Sequence, residues 1–299
     1  MNTYVETKLF SVTSSSASTQ NNGTFLSDVV FESNNFIHSE GVINLDVALI
    51  HAEVPVSFYV INEYNNQFRF KIDTDPITTV SIPYGNYNSA SLITQLLTAI
   101  NKTNFTITIS KLTGKLTFSH NTTYIIYNNF LFSIGTTLGF STNTINTSIG
   151  PNPFLLTPPY MLNLLGAKKL NIISNELNTI NHSSEVGSLS MLSSIAVDQP
   201  AYGLVIYENK SGIKHNLRVK DIDRIDIQIL DENHNLINFN NIDWSMLFCF
   251  YITRQSNVSQ SSFFNLINGT SQDLGKDIPP KPQIPKPVYL QDLEFLSNE

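Results

Sequence analysis

Charge is scarce in this sequence. Only 14% of the 299 residues are Asp, Glu, Lys or Arg, against roughly 25% in ordinary soluble domains. Cysteine is nearly absent. A single Cys249 excludes an internal disulfide. It sits in the apolar run Met246-Leu247-Phe248-Cys249-Phe250 and reads as a buried small hydrophobe rather than a nucleophile. No apolar stretch approaches the roughly 20 residues needed to span a bilayer. The start, Met1-Asn2-Thr3-Tyr4, has neither a basic nor an apolar leader region, so synthesis and assembly in a cytosolic compartment are expected.

The motifs of common chemistries are missing too. The six histidines, His38, His51, His120, His182, His215 and His234, show no i, i+4 pair and no HExxH. Asp73-Thr74-Asp75 starts like an oxygen-ligand loop but lacks the glycine and the distal Glu, so it reads as a polar turn. There is no Gly-x-Ser-x-Gly elbow and no phosphate-binding glycine loop. Lys168-Lys169 and Lys281 with Lys286 are too sparse for a genome-binding patch, and the net charge of −7 opposes nucleic-acid binding over the whole surface. Asp221, Asp223 and Asp226 read as solvated, with Asp223-Arg224 a candidate subunit contact. The expectation is a non-enzyme with no catalytic, cofactor-binding or metal-ligating residues.

What is present is a polar but uncharged surface. Asn, Ser, Thr and Ile replace the missing charges. Such a surface suits a protein packed against other copies, because charge is costly to bury at an interface. A codon bias toward Asn, Ile, Lys, Tyr and Phe produces the same composition. The Asn-x-Ser/Thr sites, such as Asn22-Gly23-Thr24 and Asn268-Gly269-Thr270, follow from that bias.

Along the chain, residues 1–24 are rich in Ser, Thr and Asn and read as an arm. Strand signals follow at Val29–Phe31 and Val42–Ile50, and Phe58–Ile61 and Phe68–Ile72 read as a hairpin across Asn62–Gln67. Val80–Pro83 ends this part. Ser89 can cap a helix whose Leu92, Ile93, Leu96, Leu97 and Ile100 fall at helical spacing. Phe105–Ile109 and Lys115–Phe118 form a second hairpin through Thr113-Gly114, Tyr124–Tyr127 adds a strand, and Leu138-Gly139-Phe140 closes the segment. After Pro151, Pro153, Pro158 and Pro159, strand signals resume at Leu162–Leu164, Leu170–Ile173, Leu189–Val197, Gly203–Tyr207, Ile225–Leu230 and Trp244–Ile252, with Asp231–Asn235 a tight turn. Pro279–Pro287 favours polyproline II.

The reading is a mainly β chain: an antiparallel jelly-roll sandwich interrupted by a small α+β insertion domain, with extended arms at both ends. The expected boundaries are an N-terminal arm at 1–24, jelly roll at 25–83, insert at 84–157, jelly roll at 158–254 and a proline-containing tail at 255–299. The sandwich must close across the insert, because neither half has enough strands to bury both faces.

The order of these segments resembles the penton and minor capsid proteins of virophages, polinton-like elements and related large DNA viruses. It is carried by Val42–Ile50, Val54-Pro55, Phe58–Asn62, Val80–Tyr87 followed by the Leu92–Ile100 helix, Leu138–Phe140, Ile225–Asp231, Ile237–Asn240 and Trp244–Phe250. The resemblance implies a jelly roll standing upright at an icosahedral fivefold vertex with its insert facing outward. It implies a homopentamer that contacts the major capsid protein. Other minor capsid proteins, and a host receptor reached through the insert, are further implied partners. The place implied is the virion vertex, assembled in host cytoplasm or a viral factory. Two rival readings are a single-jelly-roll cement protein and a glycan-binding adhesin, in which Tyr124, Tyr127 and Phe130 would form a stacking platform.

Overall fold

The structure is a computed structural model that describes residues 3–177 and 190–255, all within one compact unit, Met1–Ser256. In chain order the first elements are β1 (Thr3–Thr13), β2 (Thr19–Gln20), β3 (Asp28–Ile37) and β4 (Val42–Pro55). Next come β5 (Gln67–Ile72), β6 (Thr78–Ser81), α1 (Ser89–Ile100), β7 (Thr106–Ile109), β8 (Leu116–His120), β9 (Tyr124–Asn128), β10 (Thr144–Thr147) and β11 (Phe154–Leu156). The last are β12 (Lys169–Ile173), β13 (Met191–Ala196), β14 (Leu204–Glu208), β15 (His215–Asn216), β16 (Ile222–Leu230) and β17 (Ser245–Gln255).

One sheet runs β1-β17-β4-β14, with β15 also on β4, and another runs β13-β12-β16-β3-β2. All pairs are antiparallel. β1 pairs β17, β3 pairs β16, β4 pairs β14 and β12 pairs β13. The first main strand thus meets the last, the second meets the second last, and so inward. That nesting is one long hairpin of four strands against four, rolled into two facing sheets, which is a jelly roll. Both halves of the chain contribute to both sheets, so the sandwich closes across the insert.

Strand alternation sets the core. Phe248, Phe250 and Ile252 of β17 point inward with Val47 and Leu49 of β4, toward Ile225, Ile227 and Ile229 of β16. Trp244 is fully buried at the start of β17, and its indole N–H donates to the Leu26 carbonyl at 2.7 Å. Its ring meets Phe31 edge-on at 6.4 Å. Ser14 fastens the adjoining end of β1: its hydroxyl donates to Asp243 at 2.6 Å, and its N–H donates to the Trp244 carbonyl at 3.0 Å.

The insert has a separate core. Its sheets are β10-β9-β5-β6 and β11-β8-β7, packed with Leu92, Leu96 and Ile100 of α1 around Phe68, Phe70 and Phe118. Asn88, rather than Ser89, caps α1, and Asn88 and Ser91 satisfy each other's N–H groups. Gly139 has φ +93°, and a side chain there would strike the Tyr160 carbonyl, so Leu138-Gly139-Phe140 is a tight crossing rather than a strand.

Three expectations need correction. Residues 1–24 are not a free arm, because Thr3–Thr13 is an edge strand of the jelly roll. The insert starts earlier than residue 84 and ends later than 157: Phe58 belongs to the jelly-roll core, whereas Ile61 through Leu164 pack in the insert. Phe58–Ile61 and Leu162–Leu164 are not strands, and β5 pairs with β6 and β9 instead. The 255–299 tail lies outside the described residues, except for Gln255, which ends β17. No helix among the described residues is long and apolar enough to cross a membrane.

Truncating Trp244 removes both the largest buried ring and the bond to Leu26. Trp244→Ala is expected to lower unfolding stability by about 3–5 kcal/mol, measured by urea denaturation of the full chain.

Candidate assembly surfaces

The first sheet presents two open edges on opposite sides. β1 is one edge and β14 the other, about 14 Å apart across the sheet at the usual strand spacing. The outward row of β1 carries Val5 and Leu9, with Leu9 62% exposed. The outward row of β14 carries Leu204 and Ile206, with Ile206 61% exposed, and Tyr202 precedes them at 81%. Apolar side chains this exposed on an edge strand are unusual in a lone monomer.

Between these edges lie Cys249 and Ala48, which pair with each other; Cys249 also pairs with Leu9. Cys249 is only 6% exposed, but it belongs to the outward row and not to the core between the sheets. Lys214 lies over the Tyr251 ring at 4.2 Å on the same face.

The second sheet shows a different device. Asp226 is buried on the row opposite the core residues Ile225 and Ile227. Its carboxylate accepts from the Ser174 hydroxyl at 2.7 Å, from Glu176 N–H at 2.8 Å and from Asn175 N–H at 3.0 Å. Asp226 is therefore a structural clamp on the turn after β12, not a solvated residue. Arg224 forms an ion pair with Glu176 on that turn. Asp221 accepts from Ser39 N–H at 2.6 Å.

A cleft of about 580 Å³ separates jelly roll from insert, lined among others by Tyr59, Glu63, Tyr64, Lys168, Asp231 and Asn238. Burial pushes the Glu63 carboxyl above its ordinary range, against a backbone hydrogen bond that lowers it, and its Oε1 has no hydrogen-bond partner. Burial and the nearby Glu63 and Asp231 raise the Tyr64 phenol. A second hollow of about 720 Å³ lies on the insert between Phe140, Tyr160, Met161 and Leu165.

The residues singled out in the sequence are scattered. His120 is buried against Phe105 and Tyr124, 3.2 Å from the Thr103 carbonyl. His182 lies outside the described residues. Asp75 pairs with Lys102 at 2.9 Å. Tyr124 is 1% exposed and belongs to the core, so the three-aromatic platform does not form. Among the described residues no group of three or more His, Cys, Asp or Glu could hold a metal ion.

No family model and no curated protein matches the chain. Among solved structures it is similar to the mavirus penton protein, with 10% identity over 84% of this chain and 100% of that one and a TM-score of 0.44. It is similar to a chain in the cryo-EM structure of the Sputnik virophage, with 14% identity over 84% and 98% and a TM-score of 0.37. The fold assignment itself rests on the strand pairing.

A carboxyl with a raised pKa opposes folding once ionised. Below the ordinary carboxylate range both states hold the proton and the penalty is absent; it grows as pH rises from the ordinary value toward the raised folded-state value and is complete above it. Glu63→Gln is therefore expected to raise the melting temperature at pH 7 and to leave it unchanged below about pH 4, read by scanning calorimetry at both pH values.

Proposed function

We propose that this chain is a structural subunit of a viral capsid, forming homopentamers at the fivefold vertices and contacting the major capsid protein. The observation that carries the reading is the polarity of the jelly roll combined with its two unlike apolar edges. Thr3 pairs with Gln255 at one end of the sheet, while the insert departs after β4 at the other. β4 alone spans about 45 Å at strand rise. One end thus holds the described chain ends and the other holds the insert, which suits a subunit standing upright in a shell with its insert outward.

The edges supply the lateral contacts. β1 with Val5 and Leu9 differs from β14 with Tyr202, Leu204 and Ile206, so a contact between them is head-to-tail. Such a contact closes into a ring when the rotation allows. Each face needs about 800 Å² per partner for a stable interface. A low-charge surface lowers the desolvation cost of making that contact twice per subunit. Residence in the virion follows from the same reading.

The test is native mass spectrometry of the purified chain and of particles. Five-copy rings are expected from the chain, and about 60 copies per particle if all twelve vertices are filled. Leu9→Asp and Ile206→Asp should each abolish rings while circular dichroism stays unchanged. Mixed together they should form dimers and nothing larger, because each variant keeps one intact face. A chain that stays monomeric, or that is absent from particles, overturns the proposal.

A further inference from the structure

The outer face of the insert's four-stranded sheet combines cations with aromatic and aliphatic side chains and carries no carboxylate. Its register places Ile145 beside Tyr127, Tyr127 beside Arg69, and Arg69 beside Thr79. The next row places Thr147 beside Ile125 and Ile125 beside Lys71. Residues 59–165 hold Arg69, Lys71, Lys102, Lys111 and Lys115 against Glu63, Asp73 and Asp75, in a chain whose net charge is −7. The insert is thus net basic, while the rest of the chain taken together is acidic.

Arg69 is held in one geometry. Its guanidinium carbon lies 4.0 Å from the centre of the Phe130 ring, and its Nε donates to the Thr79 hydroxyl at 3.0 Å. One face of the fork and one donor are thereby used within the protein. The two terminal nitrogens donate to no described residue. Lys71, on the same face, makes no ion pair among the described residues. A guanidinium fixed by stacking loses little entropy on capturing an oxyanion, which it grips through two parallel N–H donors.

We propose that this face is a binding site for acidic saccharides, with Arg69 as the fork that grips a carboxylate or sulfate. The flanking groups fit a sugar: Tyr127 offers an aromatic surface, Thr79 and Thr147 offer hydroxyls, and Lys71 adds a second positive charge. A nucleic acid fits less well, because Arg69 already covers the Phe130 face on which a base would stack. This site does not rest on the capsid reading. It belongs to the insert, whose core is its own.

The experiment is titration calorimetry of the full chain with four probes: a heparin-derived octasaccharide, an oligosialic acid of equal length, a neutral dextran oligosaccharide, and a single-stranded oligonucleotide. Binding to the sulfated or the carboxylated probe is expected, and their ranking names the oxyanion. Arg69→Ala should weaken it about tenfold. Arg69→Lys should lose most of the same affinity, since an ammonium lacks the fork. Phe130→Leu, which keeps every charge, should weaken it about threefold. Lys111→Ala, in the β7–β8 turn off this sheet, should leave it unchanged. Thermal melts establish that each variant is folded. Failure to bind either acidic probe, equal binding of dextran, tighter binding of the oligonucleotide, or an Arg69→Ala variant with unchanged affinity overturns the proposal.

Discussion

The pairing of β17 along both of its edges is the constraint on which the jelly roll depends. β17 lies between β1 and β4, so β1 has a place in the sheet only because β17 is there. Its inward row, Met246, Phe248, Phe250 and Ile252, supplies much of the wall of the core. The pairing joins residue 3 to residue 255. Contacts that distant in sequence carry a large loop-closure entropy and slow the search for the native state. The first sheet cannot be completed until nearly the whole described chain is available. The insert, whose strands pair over shorter separations, is not bound by that delay.

The alternation of Val42–Ile50, Ile225–Leu230 and Trp244–Ile252 marks strands that are buried on at least one face, and these were legible because burial writes a period of two into the sequence. The helix over Leu92–Ile100 was legible for the same reason at its own period. β1 was not. Its outward residues face solvent at a sheet edge, and the Ser-rich stretch that follows it, Ser14–Ser18, has the composition of an unfolded arm. Only the partner strand, some 240 residues further on, makes sense of Thr3–Thr13. The insert boundary was misplaced for a related reason: β5 and β6 look like any other strands, and only their pairing with β9 assigns them to the second core.

The surfaces were legible in residue type but not in grouping. Tyr127 and Phe130 stand three positions apart and could be suspected together. Arg69 is nearly sixty positions away, and nothing local connects it to them. The register of β5 against β9 brings them together. Likewise Gly203–Tyr207 announces a strand, yet only the burial of Val205 in the sandwich core fixes Ile206 on the open face. Cys249 shows the reverse case. It is buried as its apolar run suggests, but by neighbours on the outer face rather than by the opposing sheet.

The two cores meet across a narrow neck. Where the chain leaves the jelly roll and where it returns are neighbours: a side chain on Gly166 would come within 3.3 Å of Val60. A hundred residues therefore hang from two adjacent points and share no buried cluster with the sandwich. Such an attachment is a natural graft site, tolerant of replacement by a segment of another size or sequence because only the spacing of its two ends must be kept. The insert can therefore change in size and sequence while the pairing of the two jelly-roll sheets stays the same.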